Sequence, residues 1–192
     1  MSTLFSNPNP DRLENKDFYP TPNYVTRALM KREKFEGMIW ECASGEGHMA
    51  KILECYHDPI RATDIRMDNS IYGRKGVNFL LSNVKVSNIV TNPPFCSALD
   101  FVKHAKRCAE KKIAFFLCLQ FLEGQERYRF FQDKKFPLKV VYVFSRRITF
   151  HLKELSTLGG GKVAFAWFVW DRAHVGSPTI EWISPRHEVT ND

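Results

Sequence analysis

Ile113 to Leu119 is an unbroken apolar run, I-A-F-F-L-C-L. A strand without polar alternation has no face to offer water, so it reads as buried on both sides. Sheets covered on both faces belong to α/β architectures with mostly parallel strands. The rest of the chain repeats the pattern. Met38–Ala43, Ile60–Thr63, Ser87–Thr91, Leu138–Phe144 and Val163–Trp170 read as further short strands, and Thr179–Ile183 as a final edge strand. Between them, helices are predicted over Tyr24–Lys34 (capped by Asn23 and ended by Gly37), His48–Tyr56, Ala98–Lys112 and Glu123–Phe131. The third is amphipathic: Leu99, Val102, Ala105 and Ala109 face inward, and Lys103, Lys106, Arg107, Lys111 and Lys112 face out. Residues 65–83 read mainly as loop with an apolar patch at Val77–Leu81, and 145–162 as a basic, Gly-ending loop.

The 192 residues are one domain's worth of chain. The polar, Asn/Pro-rich residues 1–16 read as an arm, 17–185 as the domain and 186–192 as a tail. With 44% hydrophobic residues and no 18-residue apolar run, the expectation is a globular protein without a membrane partner. No apolar signal core opens the chain, so a cytoplasmic location is expected. Lys and Arg number 28 against 21 Asp and Glu, a net charge of +7 that suits a polyanionic partner such as nucleic acid. The five cysteines form no CxxC and sit mostly in apolar segments, as reduced core thiols would. The six histidines are scattered, and no metal site is expected.

In parallel sheets ligands bind beyond the carboxyl ends of the strands. Two unusual turns fall there. Glu41-Cys42-Ala43-Ser44-Gly45-Glu46-Gly47 leaves a strand and opens a helix, and its glycines allow a sharp turn and close approach of a ligand. It lacks the full GxGxxG, and no Gly-rich loop ending in Lys-Ser/Thr exists for nucleotide hydrolysis. Asp64 ends the next strand, where a carboxylate can accept from ribose hydroxyls. Turn and acid together suggest a nucleoside-containing cofactor. The second turn is Thr91-Asn92-Pro93-Pro94-Phe95. Its prolines fix their own φ and carry no N–H. It therefore presents an amide side chain, a bare carbonyl and an aromatic face, which is what holding a planar NH2 group on a base requires.

The order Tyr19-Pro20-Thr21-Pro22, Glu41–Gly47, Asp64, Asn92–Phe95 resembles the adenine-N6 DNA methyltransferases, in particular the small phage and prophage type. The resemblance covers roughly residues 17–170, and Gly159–Lys162 running into Ala166–Arg172 is also similar to that group. It implies a Rossmann-like, S-adenosylmethionine-dependent fold of about seven mostly parallel strands ending in an antiparallel hairpin. It further implies methylation of the adenine exocyclic amine in DNA, as in restriction-modification. Asn92 and the Pro93 carbonyl would accept from the amine, Pro94 would stiffen the turn, and Phe95 would stack on the extruded base. S-adenosylmethionine would be held by Glu41, Ala43, Ser44, Gly45 and Gly47, with Asp64 on the ribose. Ile65, Asn78 and Phe79 would lie near its adenine, and Tyr19, Thr21 and Pro22 would close over its methionine end. Two departures stand out: Cys42 where the family often has Pro, and Asn78-Phe79-Leu80 where an adenine-reading acid is expected.

Two basic runs carry interleaved aromatics: Arg127, Arg129, Lys134 and Lys135 with Tyr128, Phe130 and Phe131, and Arg146, Arg147, His151 and Lys153 with Phe150. They are candidates for gripping DNA, or RNA; the alternative is a solvated face with its aromatics turned inward. A separate recognition domain has no room in this chain, and a monomer or weak dimer is expected. RNA bases, protein glutamine amides and a non-catalytic binding role remain alternatives.

Overall fold

The computed structural model describes residues 20–148 and 163–184. Its elements are α1 (Asn23–Arg32), β1 (Ile39–Glu41), α2 (His48–Glu54), β2 (Ile60–Ala62), β3 (Val86–Thr91), α3 (Ala98–Cys108), β4 (Ala109–Cys118), α4 (Gln125–Phe131), β5 (Leu138–Phe144), β6 (Phe165–Asp171) and β7 (Thr179–Ile183). Short 3-10 turns cover Phe79–Leu81, Phe95–Ser97 and Leu119–Leu122.

The seven strands form one sheet in the order β2-β1-β3-β4-β6-β5-β7. Only β6 runs against the rest: it pairs antiparallel with β4 and β5, while the other four pairings are parallel. The expected antiparallel hairpin is therefore β5–β6, but it is not final. The turn after β6 carries the chain past β5, and β7 lies parallel on its far edge.

The apolar run sits at the centre as predicted. Ile113, Ala114, Phe115 and Phe116 are fully buried in β4. Odd positions face a core with α3, which includes Val102, Ala105, Phe121, Phe168 and Trp170. Even positions face a second core with Val25, Ala28 and Leu29 of α1 and Met49 and Leu53 of α2. The sheet is thus covered on both faces, as an all-apolar strand demands.

Several predicted boundaries shift by a residue or two, and two corrections carry a physical reason. Asn23 is not the cap of α1 but its first residue; Pro22 precedes the helix, and its carbonyl accepts from the Val25 amide at 3.0 Å. The predicted helix 98–112 stops at Cys108, and Ala109–Lys112 open β4 instead. Ala-Glu-Lys-Lys has good helix propensity, but pairing with β3 and β6 overrides it. Lys112, expected on a solvated helix face, bridges Glu33 at 3.0 Å and Asp171 at 3.3 Å.

Candidate functional site

From β1 the chain crosses to β2 on one side and later reaches β3 on the other, so the strand order switches at β1. A crevice opens beyond the carboxyl ends at such a point. The glycine turn follows β1, Asp64 lies just past β2, and Asn92–Phe95 follows β3. The structure therefore brings all three predicted motifs to one edge of the sheet.

The glycine turn is braced by its neighbours. Gly45 stands at φ +52° and Gly47 at φ +83°, conformations that favour glycine. The Gly45 amide donates to Asp64 Oδ2 at 2.8 Å, and the Tyr72 amide donates to the Gly45 carbonyl at 2.8 Å. Ser44 Oγ donates to the Tyr72 carbonyl at 2.7 Å. A Cβ on Gly47 would stand 2.5 Å from Tyr72 Cγ. Gly47 is thus required by packing against Tyr72, a residue sequence reasoning missed because it lies in a segment without periodicity. Ala43 is half-buried.

Asp64 is 6% exposed. Its Oδ1 accepts from the Arg66 amide at 2.9 Å, with Arg66 Nε at 3.4 Å. The carboxylate thus knits the turn together and retains lone pairs for a diol. Ile65 beside it is 60% exposed, an uncovered apolar side chain.

Glu41 is 1% exposed. Its Oε1 accepts from Thr91 Oγ1 at 2.6 Å, tying the end of β1 to the end of β3, while Oε2 is buried without a partner among the described residues. Burial pushes its carboxyl up to about 8, with the Thr91 and Ala43 hydrogen bonds opposing and the Asp64 charge adding to the rise.

Asn92 is half-buried and Pro93 buried. Asn92 Nδ2 donates to Thr21 Oγ1 at 3.0 Å, and Thr21 is 5% exposed. The segment around Pro22 therefore meets the turn after β3 directly. The Phe95 ring is half-buried, 5.4 Å from that of Phe165. A cavity of about 360 Å³ at the same edge is lined by Leu119, Gln120, Glu123, Arg147, Val163 and Ala164.

The remaining predicted residues divide between the border of this site and the rest of the surface; Asn78 and Phe79 follow Val77, whose amide donates to the Asp64 carbonyl at 2.9 Å. Phe79 is 2% exposed, with Trp40, Phe101 and His104 rings 4.9–5.2 Å away, so it is a core residue. Asn78 Oδ1 accepts from the Leu80 amide at 3.0 Å, capping a 3-10 turn. Arg127 lies over the Phe121 ring and donates to the Glu123 carbonyl at 2.5 Å, so it is held by the turn before its helix and by the core. Phe131 stacks on Trp170, and Lys106 covers Phe130, so these aromatics turn inward while Tyr128 stays 66% exposed. Arg129, Arg146 and Arg147 are exposed. Tyr19, Phe150, His151 and Lys153 lie outside the described residues. Among the described residues no cluster of His, Cys, Asp or Glu could hold a metal, and no helix is long and apolar enough to cross a membrane.

No family model and no curated protein sequence matches this chain. Solved structures do. The M protein of the type I restriction enzyme EcoKI superposes with a TM-score of 0.61 at 15% identity, over 91% of this chain and 50% of that one. The 23S rRNA methyltransferase ErmE gives 0.58 at 13%, over 84% and 71%. A proposed class I S-adenosylmethionine-dependent methyltransferase from Listeria monocytogenes gives 0.58 at 13%, over 85% and 65%. The chain spans about half the length of the restriction-enzyme modification subunits it matches. At these identities the likeness is one of fold: the chain has the class I S-adenosylmethionine-dependent methyltransferase fold.

Proposed function

We propose that this chain transfers a methyl group from S-adenosylmethionine to the exocyclic amine of adenine in DNA. The observation that carries the reading is the meeting of Gly45–Gly47, Asp64 and Asn92–Phe95 at the switch point of a methyltransferase fold. The residues present fit such a cofactor. Glu41 offers a buried carboxyl oxygen without a partner among the described residues, suited to a cationic group, and Ile65 offers apolar surface beside Asp64. Asp64 and the glycine turn would hold the nucleoside and methionine portions. When bound, S-adenosylmethionine supplies an already activated sulfonium methyl.

The chain's task is then alignment. The adenine amine is a poor nucleophile because its lone pair is delocalised into the ring. Acceptance of its two N–H groups by Asn92 Oδ1 and the Pro93 carbonyl would draw the nitrogen toward a tetrahedral form. Those bonds strengthen as positive charge grows on nitrogen, so they favour the transition state over the ground state. Phe95 would stack on the base, and Arg129, Arg146 and Arg147 would contact phosphates.

A structured RNA base is the second reading, favoured by the likeness to an rRNA methyltransferase over 84% of this chain. Labelled methyl transfer to duplex DNA, single-stranded DNA, RNA and protein separates the two. N6-methyladenine in DNA is the expected product; label in RNA alone would move the substrate. Asn92→Ala is expected to abolish transfer while leaving S-adenosylmethionine affinity intact by calorimetry, and near-normal turnover would refute this role.

A further inference from the structure

We propose that Thr21 is a positioning residue for the transfer reaction, holding the Asn92 amide in the orientation that turns its carbonyl end toward the target amine. This rests on the reading of Asn92 as the amine's acceptor. The Thr21 hydroxyl is buried and accepts from Asn92 Nδ2 at 3.0 Å, across 71 positions of sequence. An amide's nitrogen and oxygen diverge from the same planar carbon, so a partner at one leaves the other facing elsewhere. Engaging the nitrogen at Thr21 therefore fixes the side chain's terminal torsion and commits the oxygen to the other side. A terminal amide torsion is intrinsically broad and two-fold, and this bond selects between its two ends.

Thr21 is well placed to impose an orientation, because it is itself fixed. Pro20 and Pro22 flank it and lock the backbone on either side. The Pro22 carbonyl accepts from the Val25 amide, which starts α1. Val25, Ala28 and Leu29 are fully buried, and Trp167 Nε1 in β6 donates to the Val25 carbonyl at 2.9 Å. The hydroxyl is thus carried by a helix start docked on the central sheet. This assigns Thr21 a task in place of the cofactor closure that its position in the motif suggests: it acts on the reacting geometry through Asn92.

The test compares Thr21→Val, which keeps the shape and removes the hydroxyl, with Thr21→Ser, which keeps the hydroxyl. Three readouts are needed: the Asn92 side-chain 15N–1H resonances, S-adenosylmethionine affinity by calorimetry, and kcat and KM for DNA. In Thr21→Val the Asn92 resonances should shift, kcat should fall by about 10- to 100-fold, and cofactor Kd should stay within about threefold. Thr21→Ser should restore both resonances and kcat. A cofactor Kd raised tenfold or more with kcat unchanged would make Thr21 a cofactor clamp and overturn the proposal. Unmoved Asn92 resonances in an active enzyme would overturn it as well. A wild-type chain that methylates no nucleic acid would instead overturn the underlying role of Asn92, and the positioning role with it.

Discussion

At Gly47 a φ of +83° and a Tyr72 ring 2.5 Å from the Cβ site act against any side chain. Gly47→Ala should cost about 2 kcal/mol or more from the strained backbone alone, with the collision added. The expected result is a Tm lowered by roughly 5 °C or more, together with weakened cofactor binding; an unchanged Tm would mean the turn is looser than its bracing indicates. At Glu41 the prediction concerns pH. Burial raises the carboxyl from 4.5 to about 8, so between those values the folded chain holds a proton that the unfolded chain releases. Stability attributable to this group therefore falls as pH rises from 4.5 through 8. Glu41→Gln keeps an acceptor for Thr91 and has no charge to bury. Its Tm relative to wild type should rise between pH 5.5 and pH 8.5, and parallel pH profiles would contradict the buried acid.

Glu33, just past α1, ties that helix to the sheet. Its buried carboxylate accepts from Lys139 at 2.7 Å, Lys112 at 3.0 Å and the Tyr142 hydroxyl at 3.0 Å, joining α1 to β4 and β5. The network raises Lys112 above the usual lysine value, through Glu33 and Asp171 and against the opposing effect of burial. Removing one partner strands the others, so Glu33→Ala should cost about 3 kcal/mol and lower Tm by roughly 10 °C. A drop under about 2 °C would show that solvent already compensates the lysines. At the same scale β4 explains why α3 is short. Four residues with helix propensity became strand because β3 pairs along them and β6 takes up Lys112 on the other side.

For the whole molecule the basic surplus should act collectively. If the exposed Arg129, Arg146 and Arg147 contact phosphates, nucleic-acid affinity will fall steeply with salt, and each arginine replaced by alanine should lower the log–log slope by about 1. A flat slope would remove the grip assigned to them. Sequence alone determined what depends on local chemistry and period: the buried centre of β4 at 113–117, the α/β alternation, the sharp glycine turn and the stiff Asn-Pro-Pro-Phe turn. These follow from side-chain polarity and from proline and glycine dihedrals, which neighbours along the chain dictate. Tertiary structure alone decided the rest. Lys112 became a strand residue, Phe79 a core residue and Arg127 a lid on Phe121, and Thr21 met Asn92 across 71 positions. Each outcome depends on which surface a distant segment covers, and that is settled by sheet order and burial, which no local pattern encodes.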